Sequence, residues 1–423
     1  MDDAPGEEEE VKRKKIQVYY IMYGLRGERL NPWKRIKHSS SSSASDMRYI
    51  YQFSSKLPNF KKGNDDNKYL DESTKLAALK VHRSVVALEC FCEVQDIIRG
   101  CGTIIETHHN KTIVLTSANL IRQPPCPPGY TVKDEVEENV LASNIKVFMH
   151  AYNGRSFPGE VHAYDFHFNL AILSFRTGNC YEPATLAHVN DSMDVFASQP
   201  WLRSHSESSQ LTPGDRVIVV GRYFDPPFIL MAAPGYYQLK RTKYDCKELF
   251  TTSCVITRCG DGAPLVNGRG EVIGISHYDI DSTQCIPINI ARKWWEYYKQ
   301  FGKFSRPSLG IEATNLYAKA DLGLLENMIL KFPDVSKGVI VEKVIPGSCA
   351  DIAGMCFNDV IIQCAGKTIE SFLKFFEIIM EHVGETVEIV VIRADCVTPR
   401  HLKLVVAEAE PDKFNSWPNR FYK

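Results

Sequence analysis

A mostly β chain is predicted, with an all-β barrel or sandwich first and a smaller α+β unit after it. Three observations carry this. Between Ser84 and Ile275, short β-rich runs are separated by Gly, Pro and Asp, with no helical pattern between them. After Arg306-Pro307 the texture changes, and strand-like runs frame one strongly apolar helical pattern. Before Leu76 the composition is charged and serine-rich, which buries too little apolar surface to offset chain entropy.

The elements follow in order. Residues 1–75 hold the acidic Asp2, Asp3 and Glu7 to Glu10, a basic run ending at Lys15, the tract Ser39 to Ser43 and the polar stretch Lys61 to Lys68. They are expected to form a disordered extension whose patches Tyr19-Tyr20 and Tyr49-Ile50-Tyr51 could dock on a partner. Val11 to Lys15 reads as a solvated charge run or a nuclear address. Leu76 to Val81 has a short helical pattern, and Ser84 to Phe91 is one apolar run. Cys101 to Glu106 and Thr112 to Thr116 make a hairpin around His108-His109-Asn110. Strands are expected at Asn144 to His150, Asn169 to Phe175, Arg216 to Val220, Cys254 to Thr257 and Val272 to Ile275. An amphipathic helix, Ile290 to Phe301, closes a unit of residues 76–302. Residues 303–409 form the second unit, with strands at Gly338 to Val344, Asp359 to Gln363, Thr386 to Arg393 and His401 to Val406, and a helix at Ile369 to Glu381. Residues 410–423 are a polar, aromatic tail.

A formal net charge of -1 gives no general attraction to nucleic acid or acidic lipid, so neither is expected as a partner. No run of 18 apolar residues suggests a membrane span. The 13 cysteines include no CxxC pair, only Cys90-x-Cys92, which fits neither zinc-ligand spacing nor a disulfide framework. Free thiols in a reducing compartment, cytoplasmic or nuclear, are expected, with organelles left open. No metal or other cofactor is expected.

Several motifs together resemble the HtrA/Deg proteases over residues 78–300. Leu79 to Leu88 resembles their entry segment, and Gly102-Thr103-Ile104-Ile105 their first barrel strand. Val114 to Asn119 is similar to the strand ending in Thr-x-Ala-His, and Asn169 to Leu173 to the Asp-Leu-Ala-Val-Leu strand. Leu211 to Gly221 resembles the segment before the specificity loops, and Gly260 to Ile275 the nucleophile loop with its following strand. The C-terminal unit resembles the PDZ domain of the same family, through Ser308-Leu309-Gly310-Ile311, Val344 to Ala350, Ala353-Gly354 and Asn358 to Ile361. It departs at Phe357-Asn358, where Pro-Gly is usual. The resemblance implies a trypsin-like double β-barrel followed by a PDZ domain.

Serine proteolysis needs an attacking hydroxyl, an imidazole that takes and returns its proton, and a carboxylate that fixes the imidazole. The resemblance puts Asn119 at the histidine, Asn169 at the aspartate and Asp261 at the serine. If one residue is instead deleted, the loop runs Gly260-Asp261-Gly262 and the serine is absent. An amide has no accessible pKa for proton shuttling. The oxyanion-loop positions are Cys259, Gly260 and Asp261, where small residues could still offer backbone donors although a carboxylate opposes a developing oxyanion. His167, two residues from Asn169, would share its strand face; His162 flanks the same strand; His108 and His109 belong to an exposed turn. Cys259 reads as an inert apolar residue, and Asp165 and Asp279 as turn aspartates rather than partners of Asp261.

A PDZ domain binds by strand addition, with the ligand's carboxylate in a nest of amides. Leu309, Gly310 and Ile311 would supply that nest, and Phe372 and Phe376 the facing wall. The function implied is an HtrA/Deg-like homologue without proteolysis, binding peptide C-termini or unfolded chains as scaffold or regulator. It could act as a homo- or hetero-oligomer with HtrA-like relatives. The alternatives are an active serine endopeptidase of protein quality control, and a structural relic with no ligand.

Overall fold

The computed structural model describes residues 64–91, 97–123, 140–178, 180–192, 208–224, 227–238, 244, 246–279, 282–319, 322–396 and 398–409. The expected extension and tail lie almost wholly outside them.

The first closed barrel consists of β1 (Val85–Phe91), β2 (Ile97–His108), β3 (Lys111–Ser117), β4 (Lys146–His150), β5 (Ser156–Asp165) and β6 (Leu170–Arg176), in the order β1-β2-β3-β6-β5-β4. Its strands read as unbroken apolar runs because both faces are buried. Val114 of β3 and Leu173 of β6 point into the barrel with Val86 and Leu88, while Ile113, Leu115 and Ile172 join a cluster shared with the second barrel. Such two-sided burial removes the polar alternation of a half-exposed strand.

The second barrel has β7 (Arg216–Arg222), β8 (Leu230–Gln238), β9 (Phe250–Thr252), β10 (Pro264–Val266), β11 (Val272–His277) and β12 (Thr283–Pro287), in the order β8-β9-β12-β11-β10-β7. One buried side chain ties it to the first. Arg222 of β7 donates from Nε to the Val85 carbonyl at 2.6 Å, from Nη1 to the Phe228 carbonyl at 2.9 Å and from Nη2 to the His82 carbonyl. Burial draws its guanidinium down to about 10, so it stays charged at neutral pH.

Helix α1 (Glu72–Val81) starts where Asp71 accepts from the Thr74 amide at 3.0 Å, four residues before the apolar pattern becomes legible. Helix α2 (Ile288–Phe301) ends at Gly302, whose φ of 72° closes a left-handed cap. In the C-terminal unit, β13 (Ile311–Asn315), β14 (Val339–Val344), β15 (Val360–Cys364), β16 (Thr386–Ile392) and β17 (Arg400–Val405) form a sheet in chain order, with β13 at the edge. Among the described residues, helices α3 (Leu322–Lys331) and α4 (Phe372–Met380) accompany it, with the single turns Leu316–Lys319 and Cys349–Ile352.

Two expectations are corrected. Cys254 to Thr257 is not a strand; it is an irregular lead into the 3-10 turn Arg258–Gly260. Asn169 stands outside β6 with a φ of 53°, in the turn that precedes it.

Candidate functional site

The three positions that the sequence resemblance sets at a catalytic triad are all buried. Asn119 sits in the 3-10 turn Ala118–Leu120 directly after β3, where Ser117 Oγ accepts its amide at 3.2 Å. Asp261 follows the turn Arg258–Gly260. Asn119 Nδ2 donates to Asp261 Oδ2 at 3.2 Å, and the Tyr278 amide donates to Asp261 Oδ1 at 2.5 Å. Both carboxylate oxygens are therefore engaged, and residue 261 is only 7% exposed.

The Asn169 backbone reaches the residue before Asn119, where its carbonyl accepts from the Ala118 amide at 2.9 Å. Its side chain turns elsewhere: Nδ2 donates to His277 Nδ1 at 3.3 Å. His277 ends β11 and is fully buried. Burial pulls its imidazole down to about 3, helped by the Arg122 guanidinium, so it is neutral at physiological pH. His277 was not singled out from the sequence, because the resemblance to the nucleophile loop ends at Ile275. A histidine two residues past that point, at the end of a buried strand, was the available signal.

The oxyanion loop is wound into a turn. The Gly260 amide donates to the Thr257 carbonyl at 2.8 Å and the Asp261 amide to the Arg258 carbonyl at 3.1 Å. Gly262 and Ala263 amides donate to Ser276 and Gly260 carbonyls at 2.8 and 3.0 Å. Amides 260 to 263 are thus bonded inside the protein rather than aimed together at a ligand oxygen. Burial pushes the Cys259 thiol up to about 12, far from the thiolate a nucleophile needs.

The candidate substitutes are dispersed. His167 lies in the turn before Asn169 rather than on a shared strand face, and its Nε2 faces Glu248 at 3.8 Å. Asp165 Oδ1 accepts the amides of His167 and Phe168, both at 2.9 Å, as a turn aspartate does. His162 packs edge-on against Trp295, and His108 is exposed beside Glu106.

The peptide-site residues are also placed. Gly310 has a φ of 73°, and a Cβ there would lie 2.1 Å from Ser348 Cβ, so only glycine fits. Leu309 is buried in the core of the C-terminal unit, and Ile311 begins the edge strand β13 opposite Val344. Helix α4 is apolar on two faces, Lys374 and Glu377 apart, because it serves two cores. Phe375, Ile378 and Ile379 pack on their own sheet, while Leu373, Phe376 and Met380 join the cluster of the second barrel. Phe376 meets Phe168 with ring centroids 6.3 Å apart. Its assignment as an open groove wall is therefore corrected: it is covered by the other unit. Phe372 is partly buried and borders a cavity of about 100 Å³ with Asp191, Tyr237, Phe250, Thr314 and Asn315. With Leu373 and Phe376 buried in the barrel cluster, that side of α4 is covered in this arrangement.

Polar contacts hold that arrangement. Lys293 Nζ bonds Glu381 at 2.5 Å and Asn289 Nδ2 bonds Glu377 at 3.0 Å. Asn315 Nδ2 donates to both the carbonyl and the carboxylate of Asp191 at 3.1 Å. Burial raises the Asp191 carboxyl; bonds from Ser371 and Asn315 oppose this, and Glu377 repels it further. The folded pKa is thus above the unfolded one, and charging Asp191 destabilises the folded form as pH rises through that interval. Asp191→Asn is expected to keep an acceptor for Asn315 and to raise the melting temperature at pH 7, with no gain at pH 3. Melting curves at the two pH values check this.

Two closed barrels, with a sheet of PDZ type after them, define a trypsin-like peptidase domain joined to a PDZ domain. The family profile "Trypsin-like peptidase domain" matches residues 100–275, and "PDZ domain" matches residues 340–393. "Putative protease Do-like 14" of Arabidopsis thaliana is 30% identical over 275 residues, covering 62% of this chain and 56% of the relative. "Serine protease Do-like HtrB" of Bacillus subtilis is 27% identical over 272 residues, covering 60% and 55%. The chain therefore spans about half the length of these curated relatives. The solved structure "HtrA-type protease AlgW with tripeptide" superposes with a TM-score of 0.51 at 16% identity, over 80% of this chain and 98% of that one, and shares the fold. Over about 60% of its length the chain is thus similar to Do-like proteases.

Proposed function

We propose that this chain does not cleave peptide bonds and acts as a scaffold or regulator that binds peptide C-termini or unfolded segments through its PDZ domain. The observation that carries the reading is the 3.2 Å bond from Asn119 Nδ2 to Asp261 Oδ2. At the places of base and nucleophile, an amide donates to a carboxylate. No hydroxyl is there to be activated, and no imidazole is there to receive its proton. The bonded oxyanion loop supports the same reading, since acyl transfer needs free donors at the developing charge.

The intact Gly310 loop supports peptide recognition, and the covered side of α4 implies that the PDZ domain must swing away first. Binding energy is then offset by the contacts of Phe376, Lys293 and Asn289, so free ligands bind weakly until something else opens the domain. Client proteins and HtrA-like relatives that co-assemble with the chain are the partners this reading requires.

The pure full chain should neither digest casein nor become labelled by a fluorophosphonate. It should enrich C-terminal peptides from a display library, and Gly310→Glu should lose them. Labelling of a serine would establish the active endopeptidase instead. Absence of any enrichment would favour the relic without ligand.

A further inference from the structure

We infer that His167, Cys246 and Glu248 form a binding site for one borderline-soft divalent metal ion, zinc being the best fit. Their donor atoms, His167 Nε2, Cys246 Sγ and Glu248 Oε2, converge from two separate segments of the chain. All three lie within 4.8 Å of one another; Nε2 to Oε2 is 3.8 Å and Sγ to Oε2 is 3.1 Å. A tetrahedral zinc ion with ordinary bond lengths sets its donors roughly 3.2–3.8 Å apart, so only a small adjustment closes the third edge. One imidazole, one thiolate and one carboxylate are a zinc donor set that leaves a fourth position.

The surroundings fit that role. His167 and Cys246 are buried, and Glu248 borders the cavity beneath the PDZ groove, where a water can take the fourth position. The turn carrying His167 is fixed in advance by Asp165, which accepts two of its amides. A thiolate and a carboxylate neutralise a dication. Of the charges beyond them, Arg306 and Asp165 both act on Cys246 with opposite signs. On binding, the Cys246 S–H bond breaks, its proton leaves to solvent, and a sulfur–metal bond forms. The ion would clamp the turn that leads into Asn169 onto the second barrel.

The test uses the full chain, stripped with a chelator and titrated with zinc or cobalt chloride alone. One equivalent should bind, and cobalt should show a thiolate charge-transfer band. Cys246→Ser should abolish that band and weaken binding at least hundredfold. Glu248→Gln should keep the band and weaken binding about tenfold. Cys356→Ser, an exposed thiol elsewhere, should alter neither. Should Cys246→Ser fail to fold, as judged by near-UV circular dichroism, Glu248→Gln decides. The inference is overturned if no stoichiometric binding occurs, or if binding is unchanged in the folded variants.

Discussion

Gly262→Ala is expected to lower the melting temperature by about 10 °C, whereas Gly154→Ala lowers it by only a few degrees. Both glycines have left-handed backbones, with φ of 79° and 76°. An L side chain there costs about 1–2 kcal/mol. Their surroundings differ. At Gly154 a Cβ meets nothing within 4 Å. At Gly262 it would lie 2.2 Å from Thr116 Oγ1, 2.4 Å from the Cys101 carbonyl and 2.6 Å from the Ser117 amide. None of these can retreat cheaply. Thr116 Oγ1 donates to the Cys101 carbonyl at 2.7 Å, and the Cys101 amide donates to the Asp261 carbonyl at 2.9 Å. Overpacking adds about 1–3 kcal/mol, and a domain of this size shifts about 2–4 °C per kcal/mol. Melting curves of the two variants check the difference. Equal shifts would mean that the loop is not wedged between the barrels as described.

That wedge explains which features could be read from the sequence. The apolar runs at Ser84 to Phe91 and Asn169 to Phe175 were legible because they are short, β-branched and bounded by breakers, although Asn169 itself falls in the turn before its strand. Strand β5 went unrecognised because Pro158 and Gly159 interrupt it and most of its residues are partly exposed. Strand β8 was hidden likewise by Pro234 and Gly235, where Gly235 admits the Cys254 backbone so closely that a Cβ would sit 2.5 Å from its nitrogen. Conversely, Cys254 to Thr257 has strand-like residues without a ladder partner.

The candidate site divides in the same manner. Positions 119, 169 and 261 were assigned from the resemblance: Asn119 ends the motif from Val114, Asn169 opens the one that runs to Leu173, and Asp261 is counted back from Pro264. His277 and the His167–Cys246–Glu248 cluster were not, because their partners come from distant segments and no local spacing announces a tertiary juxtaposition. Helix α4 marks a further limit. Its apolar pattern was legible as a helix, but periodicity cannot say against which unit each residue packs, and Phe376, expected on a groove wall, went to the barrel cluster.

Reinstalling the triad as Asn119→His, Asn169→Asp and Asp261→Ser is expected to yield a protein that reacts with fluorophosphonate at least a hundredfold more slowly than Bacillus subtilis HtrB. Side chains 119 and 261 already reach each other, so a histidine and a serine there can form the proton-transfer pair. Two obstacles remain. The amide of residue 261 is bonded to the Arg258 carbonyl, and losing one oxyanion donor costs about 10²–10³ in rate. A carboxylate at 169 would face His277 Nδ1, where Asn169 Nδ2 now stands at 3.3 Å. It would favour protonated His277, lift that imidazole from about 3 and orient toward it instead of toward position 119. Adding His277→Ser should therefore accelerate labelling of the triple variant about tenfold or more. At the same time it should remove the acid sensitivity of the parent chain. There the folded imidazole value lies below the unfolded 6.5, so this residue's contribution to stability is lost as pH falls from that value toward about 3. Labelling rates of the triple and quadruple variants, read with melting curves across that pH interval, separate the two effects. A triple variant as fast as HtrB would mean that neither the wound loop nor His277 obstructs catalysis.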